Sequence, residues 1–363
     1  MLTSDFNYNL PLELIAQKPC VPRDKSRLMV VDRKNKKVEN KHFYDILDYL
    51  QPGDLLVWNN SKVFKARLFG KLEPFSDDIN NDGKKDKPLI NKKSVEIFLV
   101  REMENRGVWK VLAKPGKHVQ HGMKVVFAPD FYCEIIIKEP DGTILVQFPD
   151  DAETVRNKAN KYGHIPVPPY IKDEPDQLDT YQTVYSKKEG SVAAPTAGFH
   201  FTPELIEKLK NKGVEFAEIT LHIGLGTFLP VKAEKIADHT MHSEWIELTS
   251  ENADKINKAK ADGRRVIAVG TTTVRTLEGI AKLAGNKDKK FEEFKGDINI
   301  FITPGFEFQV VDAMITNFHL PKSTLLMLVS AFNNNIDFTL DCYKIAVAEK
   351  YRFFSFGDAM FIQ

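Results

Sequence analysis

Between residues 63 and 148 the chain carries six short strand-like runs and no long helical pattern. They are VFKARLFGKL (63–72), SVEIFLVR (94–101), GVWKVLAK (107–114), MKVVFA (123–128), FYCEIIIK (131–138) and TILVQF (143–148), parted by turn signals such as PG and DG. β-Branched and aromatic residues suit a pleated, half-buried surface, and turns at this spacing point to a small barrel or sandwich. The flanks have another texture. LMVVD (28–32) reads as a short buried strand, HFYDILDYL (42–50) as a short helix and QPGDLLVWNN (51–60) as a turn followed by a strand. Beyond 151, helices and strands alternate. DDAETVRNKANKY starts as a helix, as does TPELIEKLKNKG (202–213), with Thr202 as N-cap, Pro203 at the first helical position and Gly213 closing it. EFAEITLHIG (215–224) is a strand and TSENADKINKAKADG (249–263) an N-capped helix. RRVIAVG (264–270) is a strand leading to the helix VRTLEGIAKLAG (274–285), INIFI (298–302) and VVDAMITN (310–317) are strands, and KSTLLMLVSAF (322–332) is an apolar helix.

This pattern predicts an α/β core with an inserted small all-β, barrel-like domain. Residues 1–62 and 151–363 would form the core, holding substrate and catalysis, and 63–150 the insertion. Apolar strands between helices predict a sheet covered on both faces. Within the β domain, EPFSDDINNDGKKDKPLINKKS (73–94) is polar and reads as an exposed loop. Its Lys84, Lys85, Lys87, Lys92 and Lys93 would suit RNA phosphates, but Asp77, Asp78 and Asp82 dilute their field.

A formal net charge of +1 over 363 residues gives no global field for nucleic acid, so any such contact rests on a local patch. Cys20, Cys133 and Cys342 are scattered, without CxxC spacing, which argues against structural zinc and a disulfide framework. The N-terminus lacks the basic-then-apolar order of a signal peptide, and no apolar run reaches membrane-spanning length. A cytoplasmic monomer is the expectation, with no membrane partner.

Several strands run into small or hydroxyl residues before a helix or turn. In GSVAAPTAGFHFT (190–202), small residues around Thr196 and Gly198 would let backbone approach a ligand. In VGTTTVRTLE, Thr271 and Thr272 offer hydroxyls and N–H groups at a helix N-terminus, where the dipole favours an anion; Arg275 follows in the first turn. The bland alternative is a threonine cap with a surface arginine. In LHIGLGTFLPV (221–231), Gly224 and Gly226 suit close approach and Thr227 supplies a hydroxyl, but Leu229 stands where a dinucleotide fingerprint needs its third glycine. In ITNFHLPKSTLLMLVSAF (315–332), Asn317, His319 and Lys322 lie at the switch, and Ser323 reads as a helix cap. His200, His222 and His319 each sit in such a loop or at a strand end, and are the candidate catalytic residues for proton transfer. His239, His242 and Glu244 hint at a metal, but the pair lacks a third ligand at a diagnostic spacing, so no metal is assigned.

GSVAAPTAGFHFT, LHIGLGTFLPV, VGTTTVRTLE and TNFHLPKSTLLMLVSAF, in that order, resemble the S-adenosylmethionine:tRNA ribosyltransferase-isomerases of queuosine biosynthesis. PLELIAQKPCVPRDKSRLMV (11–30), IPVPPYI (165–171), DTYQTVYS (179–186) and YRFFSFGDAMFI (351–362) extend the resemblance along the chain. Phe199 replaces an expected leucine, and 73–94 resembles extra length in the β domain. The resemblance implies an α/β core plus a β-barrel. It also implies transfer of the ribosyl part of S-adenosylmethionine to 7-aminomethyl-7-deazaguanine at the tRNA wobble position, giving epoxyqueuosine, adenine and methionine. S-adenosylmethionine would serve as the ribosyl donor, with no metal or redox cofactor.

That reaction needs a base at the 5′ carbon, an acid for departing adenine and exclusion of water. Residue chemistry assigns the proton transfers to His200, His222 or His319, with Asp312 and Glu218 as weaker alternatives. It assigns the methionine carboxylate to Arg275, Thr271 and Thr272. Arg23, Lys25, Arg27 and Arg352 are candidate tRNA phosphate contacts, the alternative being solvated charge or ion pairs with Asp24 or Asp358. Two rivals remain at this level. An ordinary methyltransferase lacks its expected glycine-rich loop near the N-terminus, and an RNA-binding module would leave the small-residue loops without purpose.

Overall fold

The computed structural model describes residues 1–73, 93–224, 233–241, 243–285 and 290–363. They form two compact units, one of Met1–Lys62, Pro168–Asp173 and Tyr181–Gln363, the other of Val63–Val167 and Glu174–Thr180. The first unit begins with β1 (Arg27–Asp32), β2 (Lys37–His42), the short helix α1 (Ile46–Tyr49) and β3 (Leu55–Asn59). The short strand β4 (Ser61–Val63) follows.

The second unit is a closed antiparallel barrel of β5 (Arg67–Glu73), β6 (Ser94–Glu102), β7 (Val108–Lys114), β8 (Lys124–Ala128), β9 (Phe131–Lys138) and β10 (Ile144–Gln147), in the order β10-β7-β6-β5-β8-β9. Alternate residues, such as Val95, Ile97 and Leu99 of β6, turn inward and are buried. Helix α2 (Ala152–Tyr162) follows, capped by the Asp151 carboxylate, which accepts from the Thr154 N–H at 2.9 Å. Lys93 is exposed; residues 74–92, with Lys84, Lys85, Lys87 and Lys92, lie outside the described residues.

The first unit resumes with β11 (Lys188–Ser191), α3 (Pro203–Asn211), β12 (Glu215–His222), β13 (Glu244–Leu248), α4 (Ser250–Ala261), β14 (Val266–Val269) and α5 (Thr271–Ala284). It ends with β15 (Phe294–Ile298), β16 (Ala313–Asn317), α6 (Thr324–Phe332), α7 (Ile336–Ala348) and β17 (Ala359–Ile362). Nine strands make one sheet in the order β15-β13-β12-β3-β14-β16-β17-β1-β2. The inner strands β12, β3, β14 and β16 are parallel. β17 runs against β16 and alongside β1. Every residue of β3, β14 and β16 is buried, as expected of parallel strands covered on both faces. One face packs α1 and α3 through Ile46, Leu205 and Leu209 against Leu56, Ile267 and Ile315. The other packs α4 to α7 through Ile256, Leu277, Met327 and Tyr343 against Val57, Ala268 and Met314.

Local chemistry explains the element ends. Thr202 Oγ1 accepts from the Leu205 N–H at 3.2 Å, and Gly213 follows α3 at φ +92°. Ser323 Oγ caps α6 in the same way at 3.2 Å. Two sequence expectations are corrected and one element was missed. Helix α5 begins at Thr271, not Val274, with Gly270 as N-cap at φ +90°. Its first-turn threonines fit because Thr273 Oγ1 donates back to the Val269 carbonyl at 2.7 Å. The strand expected at 298–302 lies at Phe294–Ile298 instead, where antiparallel pairing to β13 fixes its register, while Ile300 and Ile302 are buried beyond it. Helix α7, capped by Asn335, was not anticipated.

Candidate active site

The parallel inner strands put the C-terminal ends of β12, β3, β14 and β16 along one sheet edge. The N-terminal ends of β17 and β1 reach the same edge, because Asn317 pairs with Ala359 and Leu28 with Ala359. Ligands of open α/β sheets bind beyond such an edge. Here it carries His222, Asn59, Gly270, Asn317, Asp358 and Ser26.

The loop with Thr196 and Gly198 forms a tight turn, Thr196–His200, seated against this edge. Gly270 faces its Ala197: a Cβ on Gly270 would lie 3.5 Å from the Ala197 side chain. Val192, Ala193, Ala194, Ala197, Gly198, Phe199, His200 and Phe201 are buried, so packing within the protein already calls for small residues here. A Cβ on Gly198 would come within 1.9 Å of the Tyr185 hydroxyl. Tyr185 in turn stacks flat on Trp58, at 4.0 Å and 6°.

His200 is 3% exposed. Its ring stacks on Phe43 at 5.0 Å, and its Nδ1 lies 2.7 Å from Ser26 Oγ. Burial pushes its pKa down to about 4; Asp358 and the Asn317 side chain oppose the shift, while Arg352 and Arg23 add to it. At neutral pH the ring is uncharged. Its Nε2 has no hydrogen-bond partner of good geometry. A narrow recess with room for about one water molecule is lined by Arg23, Ser26, Phe199, His200, Ser355 and Phe356, among others.

The three histidines do not meet. Side chains alternate along β16, so Ile315 and Asn317 face the side of Phe43 and Phe201, whereas Met314 and Thr316 face the side of Tyr343. His319 follows Thr316 to that second side: its Nε2 lies 2.9 Å from Thr316 Oγ1, and its N–H donates to the Tyr343 hydroxyl at 3.1 Å. Burial pushes its pKa down to about 3. His222 shares the face of His200 but sits on β12, three strands from β16, about 14 Å away at ordinary strand spacing. It stacks on Trp245 at 5.1 Å and 11°, with Gly190 against its ring.

Arg275 is 6% exposed, not a surface arginine. It is ion-paired to Glu244, which starts β13 at the same edge, while its Nε and Nη2 have no hydrogen-bond partner among the described residues. Thr272, one turn earlier on α5, is buried and its Oγ1 likewise lacks a partner; Thr271 is buried beside it. Among the described residues, nothing lies within 4 Å of where a Cβ on Gly224 would stand. Gly226, Thr227 and His242 lie outside the described residues. Asp312 is at the wrong end of the sheet for a base beside these groups: it accepts from the Val266 N–H at 2.8 Å, where β14 and β16 begin. Glu218 is held by Lys187 and Asn60.

The four candidate phosphate contacts differ. Arg352 is committed to Asp358 at 3.0 Å, and Arg27 lies over the Tyr351 ring at 3.8 Å and bonds the Glu349 carbonyl. Arg23 lies over the Phe199 ring at 4.8 Å and donates to the Gln182 carbonyl at 3.0 Å. Lys25 is exposed.

A family model described as queuosine biosynthesis protein matches residues 3–362. The chain belongs to that family. A relative from Thermotoga petrophila, 50% identical over 100% of both chains, is named S-adenosylmethionine:tRNA ribosyltransferase-isomerase. One from Sulfurihydrogenibium, 49% identical with the same coverage, bears the same name. The crystal structure of S-adenosylmethionine tRNA ribosyltransferase from Thermotoga maritima matches with a TM-score of 0.55 and 40% identity, covering 99% of this chain and 100% of that one. Like these queuosine biosynthesis proteins, the chain is an enzyme, a transferase and isomerase. Among the described residues no three His, Cys, Asp or Glu side chains cluster as a metal would need, and no helix is long and apolar enough to cross a membrane.

Sequence reasoning missed Ser26 and Tyr185 as contacts of the loop, although both lie within the quoted motifs at 11–30 and 179–186: Ser26 meets His200 across 174 residues, and Tyr185 packs against Gly198. It read Glu244 as a metal hint, where the structure pairs it with Arg275.

Proposed function

We propose that the enzyme transfers and isomerises the ribosyl moiety of S-adenosylmethionine onto 7-aminomethyl-7-deazaguanine at the wobble position of tRNA. The products are epoxyqueuosine-tRNA, adenine and methionine. The observation that carries this reading is His200: a buried, uncharged imidazole, anchored on one nitrogen and uncommitted on the other, at the ligand-binding edge of a chain from this family. The α/β unit holds the chemistry. His200 and His222, on one sheet face, divide the two proton transfers, one at the 5′ carbon acidified by the sulfonium and one at departing adenine. His319, tied to Thr316 on the other face, supports the loop. Arg275 and Thr272, each with unsatisfied polar atoms, receive the methionine carboxylate at the N-terminus of α5, beside Thr271. Thr196, Gly198 and Gly224 border the donor, together with Gly226 and Thr227. Arg23 and Lys25 lead the contact to tRNA phosphates, seconded by Arg27 and Arg352. The enzyme works in the cytoplasm as a monomer, without metal or redox cofactor.

Incubation with S-adenosylmethionine and tRNA carrying 7-aminomethyl-7-deazaguanine tests the reading. Adenine, methionine and a nucleoside of epoxyqueuosine mass should appear in equal amounts. S-adenosylhomocysteine with a methylated nucleoside, or binding without product, would overturn it. His200→Ala and His222→Ala should each cost roughly 100-fold or more in turnover; near-normal rates for both would remove the proton-transfer roles.

A further inference from the structure

We infer that Ser26 and Asn317 hold His200 as the neutral tautomer with its proton on Nε2, so that His200 donates a hydrogen bond to the leaving base and is not the base at the 5′ carbon. The tautomer rests on the contacts of Ser26 and Asn317; the role rests on the ribosyl-transfer reading above.

The amide of Asn317 has one orientation. Its Nδ2 donates to the Phe354 carbonyl at 2.7 Å, and a flipped amide would oppose two acceptors there. Oδ1 is therefore the atom left over. It is buried and has no hydrogen-bond partner among the described residues. The Asn317 side chain faces His200, whose Nε2 is also buried and without a partner of good geometry. Ser26, 2% exposed, meets the other ring nitrogen at 2.7 Å.

The two neutral tautomers differ sharply in this setting. With the proton on Nδ1, Ser26 Oγ must accept, its own proton needs another acceptor, and the Nε2 lone pair looks at the Oδ1 lone pairs. Two opposed acceptors in a buried site cost free energy with nothing to offset it. With the proton on Nε2, Ser26 donates to Nδ1 and the N–H looks toward an acceptor. That arrangement gives the Ser26 proton its acceptor and turns a donor, not a second acceptor, toward Oδ1. The doubly protonated ring is disfavoured by burial and by Arg352 and Arg23, with Asp358 opposing. Because Nε2 and Oδ1 do not close a good hydrogen bond with each other, the N–H stays available to an acceptor atom on a ligand, such as a purine nitrogen gaining electron density as its glycosidic bond breaks. A nitrogen that already carries its proton cannot abstract another, so the 5′ proton falls to a different group, His222 in the reading above. Ser26 and Asn317 are positioning residues in this scheme.

The full-length protein, labelled with ¹⁵N only in its nine histidines, provides the test. His200 is assigned by the signal lost in His200→Gln. A one-bond proton coupling on Nε2, and none on Nδ1, is expected; coupling on Nδ1 overturns the inference. Asn317→Asp should place an anion beside the ring and give couplings on both nitrogens. A spectrum unchanged by that substitution would show that Asn317 does not face the ring as inferred. Ser26→Ala should lower kcat for adenine release about tenfold or more at little-changed KM for S-adenosylmethionine, and Ser26→Thr should restore most of it. Equal losses for the alanine and threonine variants would reduce Ser26 to a packing role. If the wild-type enzyme releases no adenine while Nε2 carries the proton, the ribosyl-transfer reading fails and the tautomer stands. If it turns over with the proton on Nδ1, the reverse holds.

Discussion

His200 and His319 are both buried uncharged, and this ties stability to pH in a definite direction. Their folded pKa values, about 4 and about 3, lie below that of a free imidazole. As pH falls below about 6.5 the unfolded chain takes up protons that the folded chain refuses, so stability is lost. It is fully present above that value and declines until the folded pKa values are reached. Denaturant titrations at pH 7 and pH 5 should show a lower midpoint at pH 5. Replacing either histidine by glutamine should flatten the difference, and an unchanged slope with pH in both variants would contradict neutral burial. Arg275 offers a second expectation at this scale. Removing its partner in Glu244→Ala leaves a buried guanidinium uncompensated and should cost about 3–5 kcal/mol, whereas Glu244→Gln, keeping a hydrogen-bond acceptor, should cost less. Chemical denaturation of both variants checks the order. These partnerships were only half legible in the sequence. Loop position marked His200 and Arg275 as groups to watch. Their partners Ser26 and Glu244 are 174 and 31 residues away, and nothing local announces such a pairing.

At the scale of elements, the 190–202 loop shows how small residues serve packing. Gly198 sits where the Tyr185 hydroxyl leaves no space for a Cβ. Gly198→Ala should therefore push Tyr185 off its stack on Trp58 and destabilise by roughly 1–3 kcal/mol. Adding Tyr185→Phe removes the nearest atom and should recover part of the loss; thermal melts of the single and double variants decide it. Element starts with capping chemistry, such as Thr202 and Ser323, were legible because one side chain bonds one N–H three residues on. The start of α5 was not, because threonines usually mark a cap, and here their hydroxyls bond backward into the helix. The strand near 298 was misplaced for a related reason. Hydrophobic residues mark burial, but Ile300 and Ile302 are buried outside any strand, and register belongs to the partner β13.

Over the whole molecule, the change in texture from alternating helices and strands to short strands alone carried the fold class, because each texture matches one way of burying apolar surface. What it could not convey is strand order. The edge that gathers Ser26, His200, Asn317 and Asp358 exists because β17 slots between β16 and β1. With a formal net charge of +1, tRNA affinity should rest on a few local cations and fall steeply as salt is raised. Filter binding across a salt series measures this, and a flat response would remove Arg23 and Lys25 from the interface.

The placement of β17 also sets a schedule. Arg27 and Asp358, hydrogen-bonded neighbours at the site, are 331 residues apart in the chain. On the ribosome, β1 emerges early and waits through nearly the whole of synthesis for its parallel partner, a bare strand edge in the meantime. The join between β16 and β1 cannot knit, nor His200 acquire Asp358 beside it, until translation is almost finished. The edge that carries His200 is thus completed only when the last strand has been made.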